Sequence, residues 1–182
     1  MVLRLVHTSM ILIALGSNLP GPAGGPRETL ERALAAFPEV GLRLLARSPW
    51  YRSAPVPPSN QPWFVNGVAR ATCDTADPAD LLCRLHALET DFGRKRDGTP
   101  NAARTLDLDL LDMNGLVRDD APILPHPRMT DRAFVLLPLA DVVPDWRHPV
   151  SGRSVAALIA GLGQHGEMER IEETPAAGSS LT

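Results

Sequence analysis

Aromatic residues, cysteine and lysine are all scarce in this sequence. Three Trp, four Phe and one Tyr are the only rings of that kind in 182 residues, so the interior must be built from Leu, Val, Ile and Ala. Two cysteines, Cys73 and Cys83, exclude a disulfide framework, and no Cys/His spacing suggests zinc. They read as reduced thiols that pack. Lys95 is the sole lysine among 18 basic residues and follows Arg94, which excludes a Gly-Lys phosphate loop. Coding bias accounts for most of the arginine excess, but arginine also suits phosphate recognition. A net charge of −3 argues against a general nucleic-acid binder. No run approaches the roughly 18 apolar residues of a membrane span. Residues 1–9 read as an extension ahead of a buried first strand, rather than as a signal peptide.

What is abundant is proline, 18 in all, which punctuates an aliphatic chain with stiff loops. Ile11–Leu15 predicts a strand closed by Gly16-Ser17-Asn18. Pro26 opens a helix with Leu30, Ala33, Leu34 and Phe37 on one face. Gly41–Tyr51 predicts a second strand, Ser53–Pro62 a proline-rich loop and Phe64–Thr72 a third strand. Asp77-Pro78-Ala79-Asp80 is a helix start, with an N-cap acceptor, proline at the first position and an early acid; Leu81, Leu85, Leu88 and Phe92 form its stripe. A polar loop, Arg94–Ala103, leads to a fourth strand, Arg104–Leu111, and Arg132–Val142 and Ser154–Leu162 predict further helices. The order suits an α+β, ferredoxin-like βαββαβ sandwich: an antiparallel sheet with helices packed on it, plus C-terminal helices. Residues 10–164 then form one domain, and 165–182 read as a flexible polar tail.

Three segments carry chemistry. In a strand, residues two apart share a face, so Leu106, Leu108 and Leu110 enter the core while Asp107 and Asp109 point together to the other side. Two neighbouring carboxylates repel, and a hard cation such as Mg2+, completed by water and substrate phosphate, removes the repulsion. Arg104 and the loop Arg94-Lys95-Arg96 add the cations that grip a polyphosphate. In Pro125-His126-Pro127-Arg128-Met129, His126 is held between prolines, and it and Arg132 can donate to phosphate oxygens. Four of the eight aromatics fall between Trp50 and Asn66. Trp50 and Tyr51 read as core, whereas Phe64 with Asn66 suits a flat heterocycle with a hydrogen-bonding edge. A GxGxxG match at Gly161–Gly166 follows a helical pattern rather than a strand and is set aside.

Taken in order, Ile13–Leu19, Tyr51–Pro55, Gln61–Asn66, Arg104–Asp109 and Pro125–Met129 with Arg132 and Phe134 resemble the 6-hydroxymethyl-7,8-dihydropterin pyrophosphokinases over residues 10–160. The resemblance implies a ferredoxin-like fold and ATP-dependent transfer of diphosphate to the pterin hydroxymethyl group, with release of AMP. It implies two Mg2+ ions on Asp107 and Asp109, and pterin contacts from Ser53, Pro55, Val56, Phe64, Asn66 and Phe134. Glu89, Arg96, Leu110, His126 and Arg132 would contact ATP, while Arg94 and Arg104 would act catalytically from a closing loop. A cytoplasmic monomer binding only small molecules, with neither nucleic acid nor membrane, is the accompanying expectation. The chain departs from the family in Asn101-Ala102-Ala103, where Trp-Gly-Pro is usual, in Ser53-Ala54-Pro55 for Thr-Pro-Pro, and in Phe64 for Tyr. Two other classes remain open at this point: a non-catalytic ligand-binding module and a metal-dependent phosphohydrolase.

Overall fold

The computed structural model describes residues 10–96, 98–99, 101–163 and 166–172; the extension 1–9 and residues 173–182 lie outside them. Strand β1 (Ile11–Ser17) lies inside an antiparallel sheet, between β4 (Phe64–Cys73) and β5 (Asp107–Met113). The sheet runs β5-β1-β4-β3-β6, with β3 at Tyr51–Ser53 and β6 at Met168–Arg170, and β2 (Leu42–Arg47) also pairs with β4.

Both faces of β1 are buried, which is why its sequence is apolar without alternation. Ile11, Ile13 and Leu15 meet one helical layer, formed by α1 (Pro26–Ala35) and α2 (Pro78–Asp91) through Leu30, Ala33, Leu34, Leu81, Leu85 and Leu88. Leu12 faces the opposite layer, α3 (Ala133–Val142) and α4 (Val155–Ala160), with Val135, Leu136, Leu139 and Leu158. The α2 start forms as its sequence predicts: the Asp77 carboxylate accepts the Ala79 N–H at 2.9 Å.

Four sequence expectations change. The predicted strand Gly41–Tyr51 breaks into β2 and β3 at Ser48-Pro49, because proline has no N–H for the ladder and Trp50 turns into the core against Gly67. The fourth strand begins at Asp107 rather than Arg104. The Arg104 main chain is already engaged: Asn18 Oδ1 accepts its N–H at 2.7 Å, and its carbonyl accepts from the Asn18 and Leu19 N–H groups. The segment read as tail from residue 165 contains β6, which extends the sheet at β3. Cys83 is exposed on α2 rather than packed, while Cys73 lies against the core. Trp50 is core as expected, and Tyr51 is half-buried with its O–H donating to Asp141 at 2.6 Å. Among the described residues, no helix is long and apolar enough to cross a membrane.

Candidate active site

The strand period places the site. Leu106, Leu108 and Leu110 enter the α1/α2 core, so Asp107 and Asp109 project on the side of α3. Across the β1 ladder they pair with Gly16 and Ala14. A Cβ at Gly16 would lie 3.3 Å from Asn66 Oδ1 and 3.8 Å from Asp107 Cβ, so glycine leaves room between those two side chains.

The carboxylates are held by arginines. Asp107 accepts from Arg94 at 2.5 Å and from Arg104 at 2.8 Å, and Asp109 lies 3.7 Å from Arg132. Burial and repulsion from Asp107 push the Asp109 carboxyl above its usual range, with His126 and Arg132 opposing. Glu89 is 1% exposed and joins the loop to the strand. Its Oε1 accepts the Leu108 N–H at 2.8 Å and lies 3.4 Å from Arg94, and its Oε2 accepts from Arg96. Burial pushes the Glu89 carboxyl upward. His126 is fixed by its N–H to the Leu111 carbonyl at 2.8 Å, and its Nδ1 accepts from the Arg128 N–H at 3.2 Å. Burial lowers the His126 pKa, with Asp109 opposing.

The arginines, Asp107, Asp109 and Glu89 open on a cavity of about 230 Å³, together with Ser53, Val56, Phe64, Asn66 and Phe134. Asn66 Nδ2 donates to Ser53 Oγ at 2.8 Å, and both side chains are buried. The guanidinium of Arg104 covers the Phe64 ring at 5.7 Å and that of Arg132 covers Phe134 at 5.4 Å. A smaller cavity of about 140 Å³ shares Ser53, Val56 and Phe134 and continues under the β6 segment.

The structure therefore gathers Arg94, Arg96, Arg104, Asp107, Asp109, Arg132, Glu89, Ser53, Val56, Phe64, Asn66 and Phe134 on one cavity. Pro55, which is buried, and His126 do not line it, although the His126 charge acts on Asp109. Leu110 does not line the cavity: its side chain is in the core, so only its main chain can meet a ligand. Leu108, of the same strand parity, turns its N–H away from β1 toward Glu89, which puts the Leu110 main chain on that same outer edge.

Sequence reasoning left out His86, Ala54, Asn101 and Arg128, which also line the cavity. His86 was detectable as one helical turn before Glu89, on the same face. Asn18 was missed as a tie. Besides holding Arg104, its Nδ2 donates to Gln61 Oε1 at 3.2 Å and to the Pro62 carbonyl at 3.1 Å, and Gln61 donates to the Asn101 carbonyl at 2.9 Å. Among the described residues no group of three or more His, Cys, Asp or Glu could cage a metal. The two aspartates instead fit a hard divalent cation that takes its other ligands from water and phosphate.

The family model described as 7,8-dihydro-6-hydroxymethylpterin-pyrophosphokinase matches residues 12–144. The chain is 46% identical over 172 residues to the 2-amino-4-hydroxy-6-hydroxymethyldihydropteridine pyrophosphokinase of Pseudomonas aeruginosa, covering 92% of this chain and 98% of that one. It is 38% identical over 150 residues to the protein of the same name in Synechocystis, covering 81% and 73%. Among solved structures, a triple mutant of Plasmodium falciparum HPPK-DHPS superposes with a TM-score of 0.65 at 16% identity, covering 84% of this chain. The chain spans 44% of that protein's length, and this likeness concerns the fold alone.

Proposed function

The chain belongs to the 7,8-dihydro-6-hydroxymethylpterin-pyrophosphokinase family and is a diphosphotransferase of folate biosynthesis, and from that premise we propose how its own residues carry the reaction. The reaction is transfer of the β,γ-diphosphate of ATP to the hydroxymethyl oxygen of 6-hydroxymethyl-7,8-dihydropterin, releasing AMP. The observation that carries this reading is the single cavity in which paired aspartates, an arginine loop and two aromatic walls meet.

Phe64 and Phe134 flank the pterin ring, while Asn66, Ser53 and the main chain of the Pro55-Val56 loop read its edge. Glu89, Arg96, His126, Arg132 and the Leu110 main chain bind ATP. Asp107 and Asp109 would hold two Mg2+ ions, whose charge, when they are bound, would offset that of the triphosphate. Arg94 and Arg104, now paired with Asp107, exchange that carboxylate for phosphate and stabilise the charge of the transferring group. Asn18 sets the position of Arg104 by gripping its main chain. The hydroxymethyl group is held for in-line attack, since positioning and electrostatics dominate phosphoryl-type transfer. The core is a ferredoxin-like βαββαβ sandwich in which β2 and β3 together serve as one strand, a reading supported by the order β5-β1-β4 with both strands pairing to β4. The enzyme works as a cytoplasmic monomer. The ligand-binding-module and phosphohydrolase readings are not favoured by the family assignment.

The test is product identity. ATP, Mg2+ and hydroxymethyl-dihydropterin should yield AMP and the pterin diphosphate, whereas ADP or free phosphate would overturn the reading.

A further inference from the structure

The charge pattern of the cavity leaves one group unexplained. Five arginines line it, against three carboxylates. Four of the arginines are bound to those carboxylates: Arg94 to Asp107 and Glu89, Arg96 to Glu89, Arg104 to Asp107 and Arg132 to Asp109. Arg128 is different. Among the described residues, no carboxylate lies within ion-pair distance of its guanidinium, although it lines the same wall.

A rim arginine in water ordinarily contributes little. Two features set this one apart. First, it stands on a pinned turn. Met129 behind it is fully buried, the Met129 N–H donates to the His126 carbonyl at 3.1 Å, and the His126 N–H donates to the Leu111 carbonyl at 2.8 Å. Its neighbour in sequence, the His126 ring, accepts the Arg128 N–H. The base of the side chain is therefore fixed to β5, two residues beyond the aspartates, rather than carried on the Arg94–Arg104 loop. Second, its charge reaches the site. It lines the same cavity as Arg94, Arg96, Arg104 and Arg132, so an anion seated there meets all five guanidinium groups. Like charges gathered in a concave wall disfavour the empty site and favour an anion.

We propose that Arg128 is a further substrate-binding residue, contacting the polyphosphate of the incoming nucleotide. It is the cavity arginine, among the described residues, that can bind phosphate without first breaking an ion pair to a carboxylate. The other four must exchange a carboxylate for phosphate, and that exchange follows once the anion is anchored. The planar guanidinium fork suits two phosphate oxygens at once, which a lysine cannot reproduce. The assignment rests on the pyrophosphokinase reading and adds a residue to it.

The experiment compares the parent with Arg128→Ala and Arg128→Lys. Binding of α,β-methylene-ATP with Mg2+ and of hydroxymethyl-dihydropterin is measured by calorimetry at low and high salt, and the KM for ATP by AMP formation. Arg128→Ala should weaken nucleotide binding roughly tenfold, as expected for a hydrogen bond between charged groups. The KM for ATP should rise in parallel, pterin binding should stay within about twofold, and the deficit should shrink at high salt. Arg128→Lys should recover only part of the loss. Nucleotide binding unchanged in Arg128→Ala, or an equal loss of pterin binding, overturns the proposal. A parent enzyme that forms no AMP would instead overturn the pyrophosphokinase reading, and the two failures are separate.

Discussion

Asp107 and Asp109 share a strand face yet sit in different electrostatic states. Asp107 is neutralised by two short arginine contacts, whereas Asp109 has one distant arginine and a carboxyl pushed above its usual range by burial and by Asp107. Neither side chain contributes to the apolar core, so an isosteric change should spare the fold. Asp107→Asn or Asp109→Asn should lower AMP formation by at least about a hundredfold, the scale of losing one preorganised charged group. The melting temperature should shift by only a few degrees. Turnover within a few-fold of the parent would argue against the metal assignment. Away from the site, His148 makes an edge contact with Trp146, and burial lowers its pKa from 6.5, with Asp112 opposing. The unfolded chain therefore binds more protons than the native one just below that value, and stability falls as pH drops through 6.5. His148→Asn should show a smaller drop in melting temperature between about pH 7.5 and 5.5 than the parent. An identical drop would sink this assignment.

At the scale of elements, the pterin wall depends on a strand that the sequence conceals. The β3 edge accepts β6, with the Ile171 N–H donating to the Trp50 carbonyl at 2.8 Å and the Ala54 N–H to the Glu167 carbonyl at 3.0 Å. These bonds flank Ser53 and the loop behind it. Ile171→Pro removes one of them and should raise the KM for the pterin roughly fivefold, the equivalent of about one lost hydrogen bond. The KM for ATP should stay within about twofold. Initial rates with each substrate varied in turn make the check, and an equal rise in both constants would mean general loosening. The three residues of β6 are polar or exposed apart from Met168, so their own pattern carries no strand signal. Conversely, α2 was legible to its first residue, because its cap, proline and stripe are all local.

At the scale of the molecule, one sheet separates two cores and the site lies on the face of the second. Leu85 packs α2 on the first core and Leu139 packs α3 on the other, both fully buried. Each Leu→Ala change should cost about 2–5 kcal/mol in urea unfolding. A loss under about 1 kcal/mol at either position would mean that its layer is loosely packed. The charge distribution has the same scale. The chain is acidic overall at −3, yet three carboxylates face five arginines in the cavity. A net charge argues against a general nucleic-acid binder while saying nothing of a local basic field.

The sequence by itself determined what depends on neighbours along the chain. The alternation that sends Leu106, Leu108 and Leu110 one way and the aspartates the other is a strand's period of two, and the helix starts and stripes are equally local. The order of the motifs carried the family. Only the tertiary structure decided which side chains share the cavity. Asn18 reaches Arg104 across 86 positions and Gln61 across 43, and the strand β6 finds β3 more than a hundred residues away. Arg128 was visible inside its motif, but that no carboxylate among the described residues pairs with it emerged only when four other arginines were seen to have one. Periodicity is set by backbone geometry within a few residues, whereas pairing of charges depends on where the folded chain brings distant residues together.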